Sequence, residues 1–295
     1  MLFIMNPCAG TKKANRHFIR LVELFNRSGY RVTVHVTQDR GDAIRIAREL
    51  APEVDAVVCC GGDGTFNETL SGVMASGVKT PIGYIPAGST NDFAASLDLP
   101  TGILAAARNI VDGQPVLYDV GLFNDRYFSY VASFGAFTRA SYATSQSLKN
   151  ALGHTAYLLS GISELSQIRK IHVKLSLDGE MLEDDFLFGA ICNSTSVAGV
   201  LTLDKSVVDL QDGKFEVLLI RAPKSLTEIT DCIKAIQNKT YDCAMMTFRS
   251  AAQVILTMDE PTDWTLDGEY QKGTDRVCLK NQHLAVSLLT KKEST

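Results

Sequence analysis

The chain has 295 residues, 45% of them hydrophobic and 21% charged, with a formal net charge of −4. That is ordinary globular composition with room for about two domains and a large core. The mild acidity argues against a general nucleic-acid binder, and no apolar run approaches the ~20 residues that span a bilayer. The start MLFIM is too short for a signal h-region and lacks a charged lead. Seven cysteines (Cys8, Cys59, Cys60, Cys192, Cys232, Cys243 and Cys278) show no C-x-x-C spacing, so reduced, buried thiols in a cytoplasmic protein are expected.

The first third alternates strand and helix. LFIM (2–5) reads as a buried strand, followed by a helix through KANRHFIRLVELFNRSG, with Phe18, Leu21, Leu24 and Phe25 on one stripe and Gly29 as its stop. RVTVHVT (31–37) is a strand, GDAIRIARELA (41–51) a helix, AVVCC (56–60) a strand, FNETLSGVMAS (66–76) a helix, PIGYIP (81–86) a strand and TGILAAARNIVDG (101–113) a helix. Such alternation builds a parallel sheet covered on both faces, with ligands bound outside the carboxyl ends of its strands.

The pattern changes near residue 118. YDVGLFNDRYFSYVASFG predicts a hairpin around Asn124-Asp125. An amphipathic helix over 147–170 covers the core or rests on a membrane surface, and its few cations favour the former. Six strands are expected after it: IHVKLSL, DDFLFGAICN, KFEVLLIRA, AQVILTM, DRVCLK and HLAVSLL. One helix, 225–238, interrupts them. The composition is that of a β-rich second domain, a sandwich or open barrel, with the boundary near Leu122 and the final strand free to return to the first domain. His17, His35, His154, His172 and His283 make no metal spacing. Trp264 reads as core or as the lining of an apolar tunnel.

Three stretches carry chemistry. Gly61-Gly62-Asp63-Gly64-Thr65 joins a strand to a helix: glycines let backbone approach a ligand closely, and helix N–H groups with the positive dipole end suit phosphate. A carboxylate beside phosphate implies Mg²⁺ between them, hence a nucleoside triphosphate. The alternative is a plain strand-to-helix turn with Thr65 or Asn67 as N-cap. IPAGSTNDFAASLDLP repeats the design, with Gly88, Ser89, Thr90 and Asn91 as phosphate donors and Asp92 for metal. NPCAG (6–10) follows the first strand, where Asn6 and Gly10 can line the same crevice. Each alone also reads as an Asx-type turn. The tetrapeptide LDGE occurs at 177–180 and 266–269, and on residues alone both copies read as Asp-Gly hairpin turns.

NPCAG, GGDGTFNE, PAGSTNDFA, YDVG around Asp119, LGHTAY (152–157) and LDGE (266–269) together resemble the diacylglycerol kinase catalytic family, in its soluble bacterial branch, related to sphingosine kinases. They lie in the family order and cover nearly the whole chain. GGDGT alone is shared with NAD kinases and resembles phosphofructokinase loops; its pairing with G-x-x-N-D-F-A is more specific.

The resemblance implies an ATP-binding α/β domain over 1–122, with 284–295 a candidate addition. A β-sandwich lipid-substrate domain over 123–283 follows, with ATP and lipid meeting in the cleft between the two. It implies Mg²⁺-dependent transfer of the ATP γ-phosphoryl to a lipid hydroxyl, with diacylglycerol to phosphatidate as the expected reaction. Asp63 resembles the central carboxylate, Asp92 and Asp119 its partners in a Mg²⁺–water network, and Glu269, chosen by family position, the general base. The nucleotide is expected against Asn6, Pro7, Gly10, Thr37, Gly61, Gly62, Gly64, Thr65, Asn67, Glu68, Gly88, Ser89, Thr90 and Asn91. Asp212, with carbonyls of Asp209 and Lys214, resembles a structural Mg²⁺ site. A cytoplasmic enzyme in transient contact with the inner membrane face follows, homodimeric assembly being compatible with it. Ser89 stands where the family often has threonine, and Ala95 where it often has arginine; the second change bears on phosphate or headgroup contact. NAD kinase and a non-catalytic lipid-binding protein on a kinase fold are the rival readings, and the lipid itself (diacylglycerol, undecaprenol, a sphingoid base) is not fixed by apolar pocket residues.

Overall fold

The structure, a computed structural model, describes residues 1–136, 169–197 and 201–291. The helix expected over 147–170, with the LGHTAY segment, lies outside the described residues apart from Arg169 and Lys170, which are not helical. In chain order the first elements are β1 (Leu2–Met5), α1 (Lys13–Arg27), β2 (Thr33–Val36), α2 (Asp42–Leu50), β3 (Val57–Gly61), α3 (Asp63–Ser76), β4 (Ile82–Pro86), α4 (Asp92–Ser96) and α5 (Ile103–Val111). There follow β5 (Gln114–Phe123), β6 (Arg126–Phe128), β7 (Val131–Gly135), β8 (Ile171–Leu177), β9 (Glu180–Cys192) and the short β10 (Ser196–Val197) and β11 (Leu201–Thr202). The last are β12 (Phe215–Arg221), α6 (Leu226–Asn238), β13 (Met246–Ala251), β14 (Gln253–Met258), β15 (Trp264–Leu266), β16 (Glu269–Gln271) and β17 (Arg276–Thr290).

The chain divides into two compact units: Met1–Val120 with Leu210–Asp212 and Gln282–Thr295, and Gly121–Asp209 with Gly213–Asn281. In the first, parallel strands stand in the order β2-β1-β3-β4, and β17 joins β4 in parallel through Leu288 and Ile82. β1, β3 and β4 are buried along their whole length, as strands covered on both faces must be, which is why they read as continuous apolar runs. Phe3, Met5, Val58, Cys60 and Ile85 meet Leu21 and Phe25 of α1 and Ala106, Ala107 and Ile110 of α5 in one core, while α2 packs against α3. The chain steps outward from β1 to β2 and then back past β1 to β3. The two crossovers diverge there and leave a crevice at the carboxyl ends of β1 and β3.

The second unit is antiparallel, and β9 is its pivot. Along one edge its first half pairs with β8 and its second half with β7; the other edge pairs with β12. β8 continues into β14 and β17, whereas β7 continues into β15 and β16, and β12 into β13. Inward residues of both layers form one core: Val173, Leu175, Val254, Leu256, Val277 and Leu279 on one side; Phe134, Ile191, Phe215, Val217 and Leu266 on the other. This is a β-sandwich. Trp264, 1% exposed, stacks edge-on to Phe123 and tilts against Phe134, so it belongs to this core.

Several elements depart from the expected ones. β13, β15 and β16 add to the expected strands; the last two are three residues each, too short to show alternation. The separate strands DRVCLK and HLAVSLL are one strand, β17, carried through Leu284 at φ +49. The helix expected from Phe66 starts at Asp63, with Gly62 as its N-cap; neither Thr65 nor Asn67 caps it.

The edge strand β2 is clasped to α2 by Asp42. Its carboxylate accepts from the His35 ring at 2.9 Å, from the Gln38 N–H at 3.1 Å and from Arg45 Nη2 at 2.6 Å. The His35 bond, then the Gln38 N–H and the Arg45 guanidinium, hold the Asp42 carboxyl down to about 2. A carboxyl depressed in the fold stabilises it above the unfolded pKa, near ~4, and that contribution is lost as pH falls through the folded value. Chemical denaturation of wild type and Asp42→Asn across pH 6 to 2 is expected to show the stability gap closing below about pH 4; a gap independent of pH refutes the assignment.

Candidate active site

At the β1/β3 crevice three backbone segments come together. Ala87 N donates to Gly61 O at 2.8 Å, and Asn6 N to Cys60 O at 2.9 Å. Asn6 closes the group with its side chain: Nδ2 donates to Thr65 Oγ1 at 2.9 Å, and Oδ1 accepts from Cys8 N at 2.9 Å. A Cβ on Gly88 would fall 2.6 Å from Gly62 Cα, and one on Gly10, at φ +47, 2.5 Å from Ala87 O. Only glycine permits these approaches. The loop after β4 is a compact turn, because Asn91 Oδ1 accepts from Gly88 N at 2.8 Å and its Nδ2 donates to Gly88 O at 3.1 Å. Of the remaining expected nucleotide contacts, Asn15 Nδ2 donates to Pro7 O at 3.0 Å, Thr37 N bonds to Met5 O at 2.9 Å, and Asn67 is buried. Glu68 Oε1 accepts from Gly41 N at 2.8 Å and so holds the entry to α2. Gly64 is partly open, and Ser89 and Thr90 are exposed.

Asp63 sits in the first turn of α3, where the positive dipole end stabilises a carboxylate and the leading N–H groups lack intrahelical acceptors. It is 8% exposed. Oδ2 accepts from Asp92 N at 3.2 Å and from Thr90 Oγ1 at 3.3 Å; Tyr84 Oη stands 3.5 Å from Oδ1 and equally far from Asn91 Oδ1. Phe66, packed between Tyr84 and Phe93, backs this cluster. The structure thus brings Asp63 and Asp92 together and adds Tyr84, whose place in the strand IGYIP gave no functional signal.

Asp119, in β5, is fully buried. Oδ1 accepts from Leu284 N at 2.8 Å and lies 3.0 Å from His283 Nδ1, while its own N–H donates to Leu210 O at 2.9 Å. Gln211 Nε2 adds a 2.6 Å bond to Leu117 O, so the segment before Asp212 is tied to β5. Among the described residues no group of three or more His, Cys, Asp or Glu is arranged to hold a metal ion by side chains alone. Mg²⁺ does not require one, since it is held by one or two carboxylates together with water and phosphate oxygens.

In the second unit Glu269 opens β16 and Asp267 starts the turn before it, at φ +49. Asp267 is buried and its carboxylate accepts four bonds: from Ser129 N at 2.6 Å, Ser129 Oγ at 2.7 Å, Tyr130 N at 2.9 Å and Val131 N at 3.1 Å. Burial pushes its carboxyl up, and the donors oppose that. Its own N–H donates to Val131 O at 2.9 Å. Arg126 Nη2 reaches Glu269 Oε2 at 3.2 Å. The other LDGE copy is a surface turn: Asp178 and Gly179 at φ 50 and 99, Glu180 exposed. Arg126 and Asp267 went unremarked in the sequence because one reads as strand and the other as turn.

The diacylglycerol kinase catalytic domain profile matches residues 1–123. A diacylglycerol kinase of Bacillus subtilis is 31% identical over 271 residues, covering 90% of this chain and 88% of its own. One of Staphylococcus carnosus is also 31% identical, over 90% and 87%. A solved diacylglycerol kinase structure from Bacillus anthracis superposes with TM-score 0.76 at 20% identity over 98% of this chain and 96% of its own. A second Bacillus anthracis structure gives 0.81 at 23% over the same shares. The chain belongs to the diacylglycerol kinase family.

Removing the Asp267 carboxylate strands three buried N–H groups and a hydroxyl. Asp267→Ala is expected to lower unfolding free energy by roughly 3 kcal/mol, against less than about 1 kcal/mol for Asp178→Ala, whose two backbone bonds lie at the surface. Urea titrations of both decide it; equal losses refute the ranking.

Proposed function

We propose that the chain is a Mg²⁺- and ATP-dependent lipid kinase that phosphorylates diacylglycerol to phosphatidate. The observation that carries the reading is the meeting of the Gly10, Gly62 and Gly88 backbones around Asp63 at the switch point of a parallel sheet, where phosphate-binding loops belong. The relatives' shared name supplies the lipid.

The residues fit the metal. Asp63 and Asp92 would offer hard oxygen donors beside the start of α3 and the exposed Ser89 and Thr90, a donor set that suits Mg²⁺ in the company of phosphate. In this reading Asp119 would belong to the same water network, and Asp212 with the carbonyls of Asp209 and Lys214 would hold a second, structural Mg²⁺. Mg²⁺, when bound, neutralises charge on the phosphates during transfer. Backbone N–H groups of Gly62 to Thr65 and of Ser89 and Thr90 would orient the triphosphate, with Asn91 holding the Gly88 turn and Asn6 keeping the loops in place. Glu269 takes the proton of the lipid hydroxyl as the new O–Pγ bond forms and the bond from Pγ to the bridging oxygen breaks, releasing ADP. Among the described residues no helix is long and apolar enough to cross a membrane. A cytoplasmic enzyme that visits the inner membrane face suits a lipid substrate.

Incubation with γ-labelled ATP and a panel of diacylglycerol, a sphingoid base, undecaprenol and NAD is expected to label phosphatidate. Label on NAD alone overturns the reading in favour of NAD kinase, and label on nothing favours a binding protein. Asp63→Ala is expected to lower kcat by about 10³-fold with its circular dichroism unchanged; a wild-type rate removes Asp63 from the mechanism.

A further inference from the structure

Arg126 follows the Asn124-Asp125 turn, and its guanidinium engages two side chains of β16. Nη2 lies 3.2 Å from Glu269 Oε2 and Nη1 3.0 Å from Gln271 Oε1. Glu269 and Gln271 are two residues apart on one strand, so their side chains leave the same face. The fork of an arginine spans that spacing as a lysine cannot. Arg126 and Glu269 are each about one-third exposed, at 32% and 33%. An ion pair of that exposure adds little to stability. Its effect falls instead on where the Glu269 carboxylate sits.

The backbone beneath Glu269 is already fixed. Asp267, two residues earlier, is fastened to Ser129, Tyr130 and Val131, and that segment is held from behind by Asn193 Nδ2 on Ser129 O at 3.0 Å and Ser194 Oγ on Tyr130 O at 3.1 Å. What the anchored turn leaves undetermined is the rotation of a glutamate side chain with three torsions. Arg126 bears directly on it.

We infer that Arg126 is a positioning residue: it aims the Glu269 carboxylate, with Gln271 holding the guanidinium in register. The inference rests on Glu269 being the base proposed above. A misplacement of about 1 Å at a reacting group lowers rate by about 10²-fold, so aiming alone is worth that much.

Steady-state kinetics on Arg126→Ala, Arg126→Lys, Gln271→Ala, Glu269→Gln and the double variant R126A/E269Q test it. Arg126→Ala is expected to lose roughly 30- to 100-fold in kcat with KM for ATP within about twofold. Arg126→Lys is expected to recover part of the loss, and Gln271→Ala to lose less than Arg126→Ala. The double variant is expected to be no slower than Glu269→Gln, because a residue that acts through Glu269 has nothing left to aim. A kcat within twofold of wild type for Arg126→Ala, or losses that multiply in the double variant, overturns the inference. Wild-type turnover by Glu269→Gln overturns the base assignment itself, whereas an inactive Glu269→Gln beside a normal Arg126→Ala overturns only the role of Arg126. Should Arg126→Ala fail to fold, Gln271→Ala and Arg126→Lys carry the same readouts, and wild-type kcat in both is equally fatal.

Discussion

The first unit is governed by how closely three stretches of backbone approach at one sheet edge. Gly62 and Gly88 stand nearly Cα to Cα, and Gly10 presses on the carbonyl of Ala87. Any side chain at these positions would push apart the loops after β1, β3 and β4. The sheet order makes the approach possible, since helices leaving β1 and β3 diverge to opposite faces and clear the space between. The concavity is therefore made of N–H groups and small polar side chains, and Asp63 faces that space from the start of a helix. Its charge is tolerated there because the dipole and the Asp92 N–H balance it.

The second unit is organised around a different constraint, a buried carboxylate with four donors. Asp267 joins the β15–β16 turn to the start of β7, so the strand carrying Glu269 is pinned at its root. Burying a charge is costly unless donors surround it, and three consecutive N–H groups with one hydroxyl meet that need. The sandwich core supplies rigidity from the other side, with Trp264 wedged between Phe123 and Phe134.

Much of the first unit was legible in the sequence, because strands buried on both faces cannot hide among polar residues: LFIM, VVCCG and IGYIP announce themselves. The helix start at Asp63 was not, since GGDGT has poor helical propensity and Gly62 caps without a side chain. Tertiary packing decides that boundary. In the second unit β8 and β14 alternate and β9 and β12 carry apolar runs, so all four were readable, while β15 and β16 are too short for periodicity and the polar Asn281-Gln282 interrupts the pattern of β17. The two LDGE copies mark the limit of local reading. Their residues are identical, yet Asp178 binds the N–H groups of Ala252 and Gln253 at the surface and Asp267 is sealed under Ser129. Nothing in the tetrapeptide itself distinguishes them; the strands on either side do.

The carboxylates divide by what holds them. Asp63, Asp119 and Asp267 each accept from backbone N–H groups, which belong to the fold and move only with it. Such partners suit a charge that must stay in place, beside a metal or at the root of a turn. Glu269 is gripped by the side chain of Arg126, a partner with rotatable bonds of its own. The proton acceptor proposed at Glu269 must adjust to a substrate that arrives, reacts and leaves, so in that reading a side-chain tether that orients without immobilising suits it, whereas a nest of N–H groups would lock it. The same logic explains why Asp267, fixed and inaccessible, is poorly placed to be the base, although it shares a tetrapeptide with Glu269.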